Sequence, residues 1–390
     1  MKPTPELQLL LLTCAFGEST ERATQIRRFI QTESLDWPRV IALAERHRLT
    51  PFLYYWLRSE SDIPAEIVGK LHNECRVIAA DNLLKHHHYQ TVKQFFNAHG
   101  IDHWPLKGIF LAHDVYPESS LRPTGDLDLV INHDDVIRCV TLLRQEGYHL
   151  NRKQSLYWQR SPRSVLTDWW EMSLFKPFSA GSQFDIDLHW GVAHIDHHYH
   201  LFKLPDLCRD PALLIEQQIV LLVVHHGVNN VWQHIFYLND LYFLLQKTDL
   251  NWFWLLNELR QHDIDRVFLT GLNLCQRYWS LTLPDALLTD VRHERIQVMA
   301  TACERRWDNP PVSLSRLVLV KLFFFLNAQT RFTRQLRALR TFVVSRIFVP
   351  STFLVGNRMV YVPKELGFLS VIGRGFRSLY RLLVPPAKPV

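Results

Sequence analysis

A chain of 390 residues with 47% hydrophobic, 12% aromatic and 21% charged residues has ordinary globular composition, which excludes disorder, a collagen repeat and a coiled coil. Six cysteines (Cys14, Cys75, Cys139, Cys208, Cys275 and Cys303) lack CxxC spacing, so neither structural zinc nor a secreted disulfide framework is expected; a reducing cytoplasm fits. The net charge of +6 is uneven: residues 311–390 hold 13 Lys or Arg and one acid, Glu365, against 31 basic and 37 acidic side chains elsewhere.

The first hundred residues predict helices. Apolar positions recur at 3.6-type spacing through 20–31, 37–46 and 67–96. Pro3, Pro5, Pro38 and Pro51 fall at expected helix starts, where a missing N–H costs little, and His99-Gly100 supplies a stop. The apolar run 9–16 is short and follows Glu6 rather than a basic cluster, which argues against a signal peptide.

From Ile101 the texture changes to short apolar runs punctuated by Gly and Pro. Strands are predicted over 101–106, 127–131, 148–152, 156–160, 165–175 and 184–190, with helices over 108–116 and 134–146. After Pro211 helices return over 212–226, 231–246, 252–262 and 266–278, and Pro310-Pro311 marks a break. No run reaches the roughly 18 to 20 apolar residues of a membrane helix; the stretch 317–326 is interrupted by Lys321. The expected class is α+β. A helical region (1–100), a small mixed-sheet core (101–205), a helical domain (206–310) and a basic, aromatic-rich region (311–390) follow one another.

Two strands carry alternating acids. In Asp126-Leu127-Asp128-Leu129 both carboxylates point to one face, and in Asp185-Ile186-Asp187-Leu188-His189 two acids and an imidazole do the same. A single such strand on a wet surface is cheap, because neighbouring carboxylates there repel by only about 1 kcal/mol. If the strands are adjacent, close pairs cost about 4 kcal/mol each at an effective dielectric near 20. A divalent cation removes that penalty, and hard oxygen ligands suit Mg²⁺. Upstream, Lys107-Gly108 ends a strand and opens a helix, a place where backbone N–H groups and a lysine charge suit phosphate.

Leu106-Lys107-Gly108, Tyr116, Arg122, Asp126-Leu127-Asp128-Leu129-Val130 and Ile186-Asp187-Leu188-His189-Trp190 together resemble the uncharacterised bacterial nucleotidyltransferase-like family of the DNA polymerase β superfamily. His225-His226-Gly227 through Tyr237-Leu238-Asn239-Asp240-Leu241 is similar to that family's helical segment, and the resemblance covers roughly residues 70 to 285. It implies a minimal nucleotidyltransferase sheet flanked by helices, with Asp126, Asp128 and Asp187 as metal ligands. The implied reaction is two-metal Mg²⁺ chemistry that moves NMP from an NTP to an unknown acceptor. Asp187 would help deprotonate the acceptor hydroxyl, with Asp185 as the substitute if the register differs. Lys107 and the Gly108 amide would grip the β/γ-phosphates; Arg122 would reach phosphate or serve as an exposed structural arginine. Where the wider superfamily has Gly-Gly or Gly-Ser, this chain has Lys107-Gly108.

Other clusters read as follows. His189, His194, His197, His198 and His200, and separately His86 to His88, suit either zinc or a solvated polar surface. His225 and His226 lie on an apolar helix, where packed, hydrogen-bonded histidines are expected. Asp240, a lone acid among apolar residues, needs a cap, an arginine or the active site. Arg331, Arg334, Arg337, Arg340 and Arg346 recur at helical spacing near Phe323, Phe324, Phe325 and Phe332. That pattern suits an outward-facing packed helix, an anionic membrane surface or nucleic acid, with lipid ahead of nucleic acid. A cytoplasmic protein, peripheral at the inner membrane through this region, is the expected location. Two alternatives to the enzyme stand beside it. One is a degenerate nucleotidyltransferase-fold adaptor that binds a partner or membrane through residues 311–390. The other is a DxD nucleotide-sugar glycosyltransferase, which wants a stranded α/β half before the DxD.

Overall fold

The computed structural model describes residues 3–14, 20–179, 182–191, 204–209, 214–247, 250–308, 314–348, 351–355, 358–369 and 372. Helices begin where the prolines predict: Pro5–Thr13, Trp37–His47 and Thr50–Leu57 each carry one in the first turn, where its missing N–H forfeits no intrahelical bond. Asp36 caps the second of these by accepting from the Arg39 amide. A 34-residue helix, Ala65–Ala98, then runs to the sheet.

Five strands make one mixed sheet: β1 (His103–Pro105), β2 (Leu127–Ile131), β3 (His149–Leu150), β4 (Glu171–Ser179) and β5 (Ser182–His189), in the order β1-β2-β5-β4-β3. Only β2 and β5 run parallel in this sheet. Leu127, Leu129, Ile186 and Leu188 bury one face with Phe96, Val136, Val140 and Leu143, as the period-2 alternation of each strand requires.

One predicted strand, 156–160, and the first part of another, 165–175, are helices instead, while 171–175 falls in β4. Residues 156–160 fall in the helix Arg152–Arg160, and 165–168 in Pro162–Asp168. Asn151 accepts from the Gln154 amide at 2.9 Å to start the first, and Pro162 opens the second. These local start signals win over the apolar run.

A larger core unites helices from both ends of the chain. Leu9, Leu10, Phe52 and Leu53 share it with Phe268, Leu272, Trp279 and Trp307, and the Trp279 indole donates to the Leu11 carbonyl at 2.9 Å. Leu106, Leu111 and Val130 belong to this core, whereas Ile109, Leu127 and Leu129 belong to that of the sheet. The segment that carries Lys107 and the DxD therefore sits at the junction of the two.

Beyond residue 313 lie helices Leu314–Ala328 and Phe332–Ile347 and a hairpin of β6 (Ser351–Val355) and β7 (Arg358–Val362). Arg334 pairs with Asp263, and Ala338 is buried. Among the described residues no helix is long and apolar enough to cross a membrane.

Candidate active site

Parallel pairing of β2 with β5 places Asp128 opposite Asp187 and Val130 opposite His189. Asp128, Asp187 and His189 thereby offer donor atoms within 4.8 Å of one another. Asp128 is buried, and its Oδ1 meets Lys107 Nζ at 3.0 Å and His189 Nε2 at 2.9 Å. His189 Nδ1 lies 3.4 Å from Glu171 Oε2, close enough for charge attraction but without the alignment of a hydrogen bond. Asp126, exposed just before β2, hydrogen-bonds with the carboxyl of Asp187. Asp185 is also exposed and accepts from Gln183 at 2.8 Å, so it borders the cluster.

The electrostatics follow from this crowding. Burial first, and the Asp126 hydrogen bond next, push the Asp187 carboxyl up to about 7. Burial alone would raise Asp128 too, but Lys107 and His189 reverse the direction and hold it below the ordinary carboxylate value. For Lys107 burial is likewise overcome: Asp128 and Asp126 raise the ammonium above its usual value. His189 is raised against burial by its bond to Asp128. One carboxylate is thus paired and favours its charged form, and its neighbour holds a proton toward neutrality.

The Lys107-Gly108 turn is drawn onto β2. The Leu106 amide donates to the Asp128 carbonyl at 3.0 Å, and a Cβ placed on Gly108 would stand 3.5 Å from the Asp126 carbonyl and 3.9 Å from Asp128 Oδ2. Lys107 has φ 43° and ψ −121°, a region that favours glycine and costs another residue about 1–3 kcal/mol. The predicted helix 108–116 forms as one α-helical turn, Gly108–Phe110, that runs into a π-helical segment, Leu111–Val115.

Arg122 is buried, so the exposed structural arginine is corrected. Its Nε and Nη2 hold Asp240 Oδ1 and Oδ2 at 2.8 and 2.9 Å, and Nη1 donates to the Gly108 carbonyl at 3.0 Å. Of the three partners open to Asp240, the arginine is the one it meets, with Tyr116 Oη donating at 2.6 Å and His226 Nε2 at 3.0 Å. His225 and His226 lie on a π-helical segment, Val223–Asn229. Their rings meet through Nδ1 atoms 2.9 Å apart, and His225 Nε2 lies 3.2 Å from Lys107 Nζ. Gly227 lets this segment approach the helix Asp265–Trp279, since a Cβ there would stand 2.4 Å from Val267 Cγ1.

Asn82, on the long helix, clamps the loop before the DxD. Its Oδ1 accepts from the Thr124 amide and hydroxyl at 3.0 and 2.7 Å, and its Nδ2 donates to the Arg122 carbonyl at 3.0 Å. Neither Asn82 nor the link from His225 to Lys107 was visible in the sequence; the partners lie 40 or more residues apart and share no motif. An open cleft of about 180 Å³ flanks this loop, lined by Glu45, Arg48, Thr50, Glu74, Thr124 and Gly125 among others.

Among the described residues of the histidine runs, His189 is the one that reaches the carboxylates. His88 stacks on Phe184 with centroids 4.0 Å apart, and His86 lies 3.8 Å from His113. His194, His197, His198 and His200 lie outside the described residues.

The profile of a protein family described as "Uncharacterised nucleotidyltransferase" matches residues 33–280. The chain belongs to this family. No curated protein and no solved structure matches it. The family span covers Lys107, Gly108, Arg122, Asp126, Asp128, Asp187, His189 and Asp240 and stops short of the basic region. It begins well before residue 70, so the helices Trp37–His47 and Thr50–Leu57, which pack in the larger core, belong to the family unit.

Proposed function

We propose that this protein transfers a nucleoside monophosphate from an NTP to an acceptor hydroxyl or phosphate at the β2–β5 carboxylates. The observation that carries the reading is the register of Asp128 against Asp187, with Asp126 hydrogen-bonded to Asp187. The donor set fits a divalent cation: with Asp128 buried and Asp187 half-buried, burial first and the Asp126 carboxylate next raise the Asp187 carboxyl, and such a cluster asks for positive charge. Asp126, Asp128 and Asp187 form an all-oxygen set that suits two Mg²⁺ ions, and the nearby His189 imidazole accommodates Mn²⁺ as well. When bound, the metal supplies charge neutralisation at the triphosphate and alignment of the α-phosphorus for in-line attack.

The chain's own residues do the rest. Asp187, at the edge of the cluster, would help take the proton of the attacking hydroxyl as a general base. The new P–O bond forms as the α–β bond breaks, and pyrophosphate leaves. Lys107 gives two N–H groups to Asp128 and His225 and keeps a third for a phosphate oxygen, while Gly108 leaves room beside it. His189 holds Asp128 in place, as hydrogen-bonded partners of ligating carboxylates commonly do. Arg122, committed to Asp240 and the Gly108 carbonyl, supports the turn rather than taking phosphate.

The test is incubation with each α-labelled NTP and Mg²⁺ in cell extract. Label should pass to an acceptor with the native chain and not with folded Asp128→Asn or Asp187→Asn. Undiminished transfer by both variants removes the reading and leaves the adaptor. The glycosyltransferase alternative wanted a stranded α/β half ahead of the DxD, and the described residues before His103 form helices joined by turns, with no strand among them.

A second reading concerns residues 311–390, for which an anionic membrane surface is the partner. It is favoured by a stripe on the helix Phe332–Ile347: Phe332, Leu336, Leu339 and Val343 are 72%, 51%, 37% and 42% exposed, with Arg337 and Arg340 exposed beside them. An apolar stripe edged by arginines suits an interfacial helix. The expected result is co-sedimentation with phosphatidylglycerol vesicles, lost in Arg337→Glu/Arg340→Glu; equal binding to neutral phosphatidylcholine removes it.

A further inference from the structure

Lys107, His225, His226 and Asp240 form an unbroken run of polar contacts from the sheet into the larger core. The spacings are 3.2 Å from Lys107 Nζ to His225 Nε2, 2.9 Å between the two Nδ1 atoms, and 3.0 Å from His226 Nε2 to Asp240 Oδ2. Each nitrogen of a neutral imidazole either donates or accepts, so the groups at the ends fix the protons between them.

Asp240 anchors the run. Burial alone would raise its carboxyl, but Arg122 and His226 hold it well below the ordinary carboxylate range, and a carboxylate only accepts. His226 must carry its proton on Nε2. Burial pushes its pKa down to about 4, so the ring is neutral near pH 7 and Nδ1 is a lone pair. That lone pair faces His225 Nδ1, which has to be the protonated nitrogen. His225 is kept neutral first by burial and next by the Lys107 charge, so its Nε2 presents a lone pair to an ammonium that has only donors. Every bond points one way, from Lys107 to Asp240.

We propose that His225, His226 and Asp240 are positioning residues that hold the Lys107 ammonium against Asp128 through this one-directional run of hydrogen bonds. The run also anchors a side chain whose backbone occupies a glycine-type conformation. Reversal of the run would put His225 Nε2–H against the ammonium, donor against donor, and Lys107 would leave its seat. What Lys107 is held for rests on the nucleotidyl-transfer reading; how it is held does not.

The tautomers decide the matter. In the full chain labelled with ¹⁵N-histidine, two-bond ¹H–¹⁵N spectra should show His225 protonated on Nδ1 and His226 on Nε2, each resonance assigned by its loss in a single-histidine variant. A native His225 protonated on Nε2, or charged, overturns the proposal without recourse to any variant. His226→Phe keeps a ring to stack on Tyr237, 4.2 Å away between centroids, and leaves Asp240 its arginine. In that variant the His225 Nδ1–H loses its acceptor, and Mg²⁺-dependent NTP affinity, measured calorimetrically, should fall at least fivefold. An unchanged affinity in the folded variant overturns it. If the native chain binds none of ATP, GTP, CTP or UTP with Mg²⁺, the transfer reading falls, and the run stands or falls on the tautomers.

Discussion

Asp128 and Asp187 face each other across the one parallel strand pair of the five-stranded sheet, and their surroundings shift the two carboxyls in opposite directions. Lys107 and His189 keep the first ionised, while burial and Asp126 keep the second protonated toward neutrality. Two carboxylates set apart in this way are the arrangement expected where one must bind and the other must exchange a proton.

A pH dependence follows for metal binding. The Asp187 proton must leave before a cation binds, so affinity for Mn²⁺ should rise with pH and level off above about 7. Calorimetric titrations from pH 5.5 to pH 8.5 check this, and in Asp187→Asn the slope should flatten as affinity falls.

The same shift has a sign for stability without metal. A folded-state pKa of about 7 against an unfolded value of about 3.9 means that the folded chain retains the proton longer. This contribution is complete below about pH 4 and is lost as pH rises to about 7. Urea unfolding with chelator present should find Asp187→Asn gaining on the native chain between pH 5 and pH 8. An unchanged difference between the two pH values would contradict the assigned shift.

Lys107 offers a test of backbone strain. Lys107→Ala and Lys107→Gly both remove the charge beside Asp128, but glycine tolerates φ 43°. The glycine variant should be the more stable of the two by about 1 kcal/mol in urea melts, with metal affinity altered alike in both.

The Arg122–Asp240 pair is buried on both sides. Asp240→Ala leaves a buried guanidinium without its partner and should cost about 3–5 kcal/mol, far above the Arg122→Met/Asp240→Leu double variant. Comparable losses in single and double variants, by chemical denaturation, would mean the pair is not coupled.

Gly227→Ala should destabilise the chain by about 1–3 kcal/mol, since its methyl would collide with Val267 Cγ1. Val267→Ala in the same chain should restore most of that loss; failure to do so would place the strain at Trp232 instead.

Much of the candidate site is legible in the sequence. Alternation at 126–129 and 185–189 fixed which side chains share a face, because the side-chain period of a strand is two, and the prolines marked helix starts because their φ suits a first turn. The errors at 156–160 and 165–168 arose where Asn151 and Pro162, strong local starts, outweighed a short apolar run that periodicity alone does not assign. Arg122 illustrates the other limit: its sequence neighbours are consistent with exposure, and its partner Asp240 lies 118 residues away.

By itself the sequence determined the composition of the centre: three acids on two strands, a lysine and glycine ahead of them, and a lone acid that had to find a counter-charge. Only the tertiary structure decided that β2 and β5 are neighbours, that Arg122 turns inward, and that two histidines connect Lys107 to Asp240. Local conformation depends on nearby residues and can be read along the chain, whereas strand adjacency and buried pairing depend on how two hydrophobic cores close over one segment, which no short window contains.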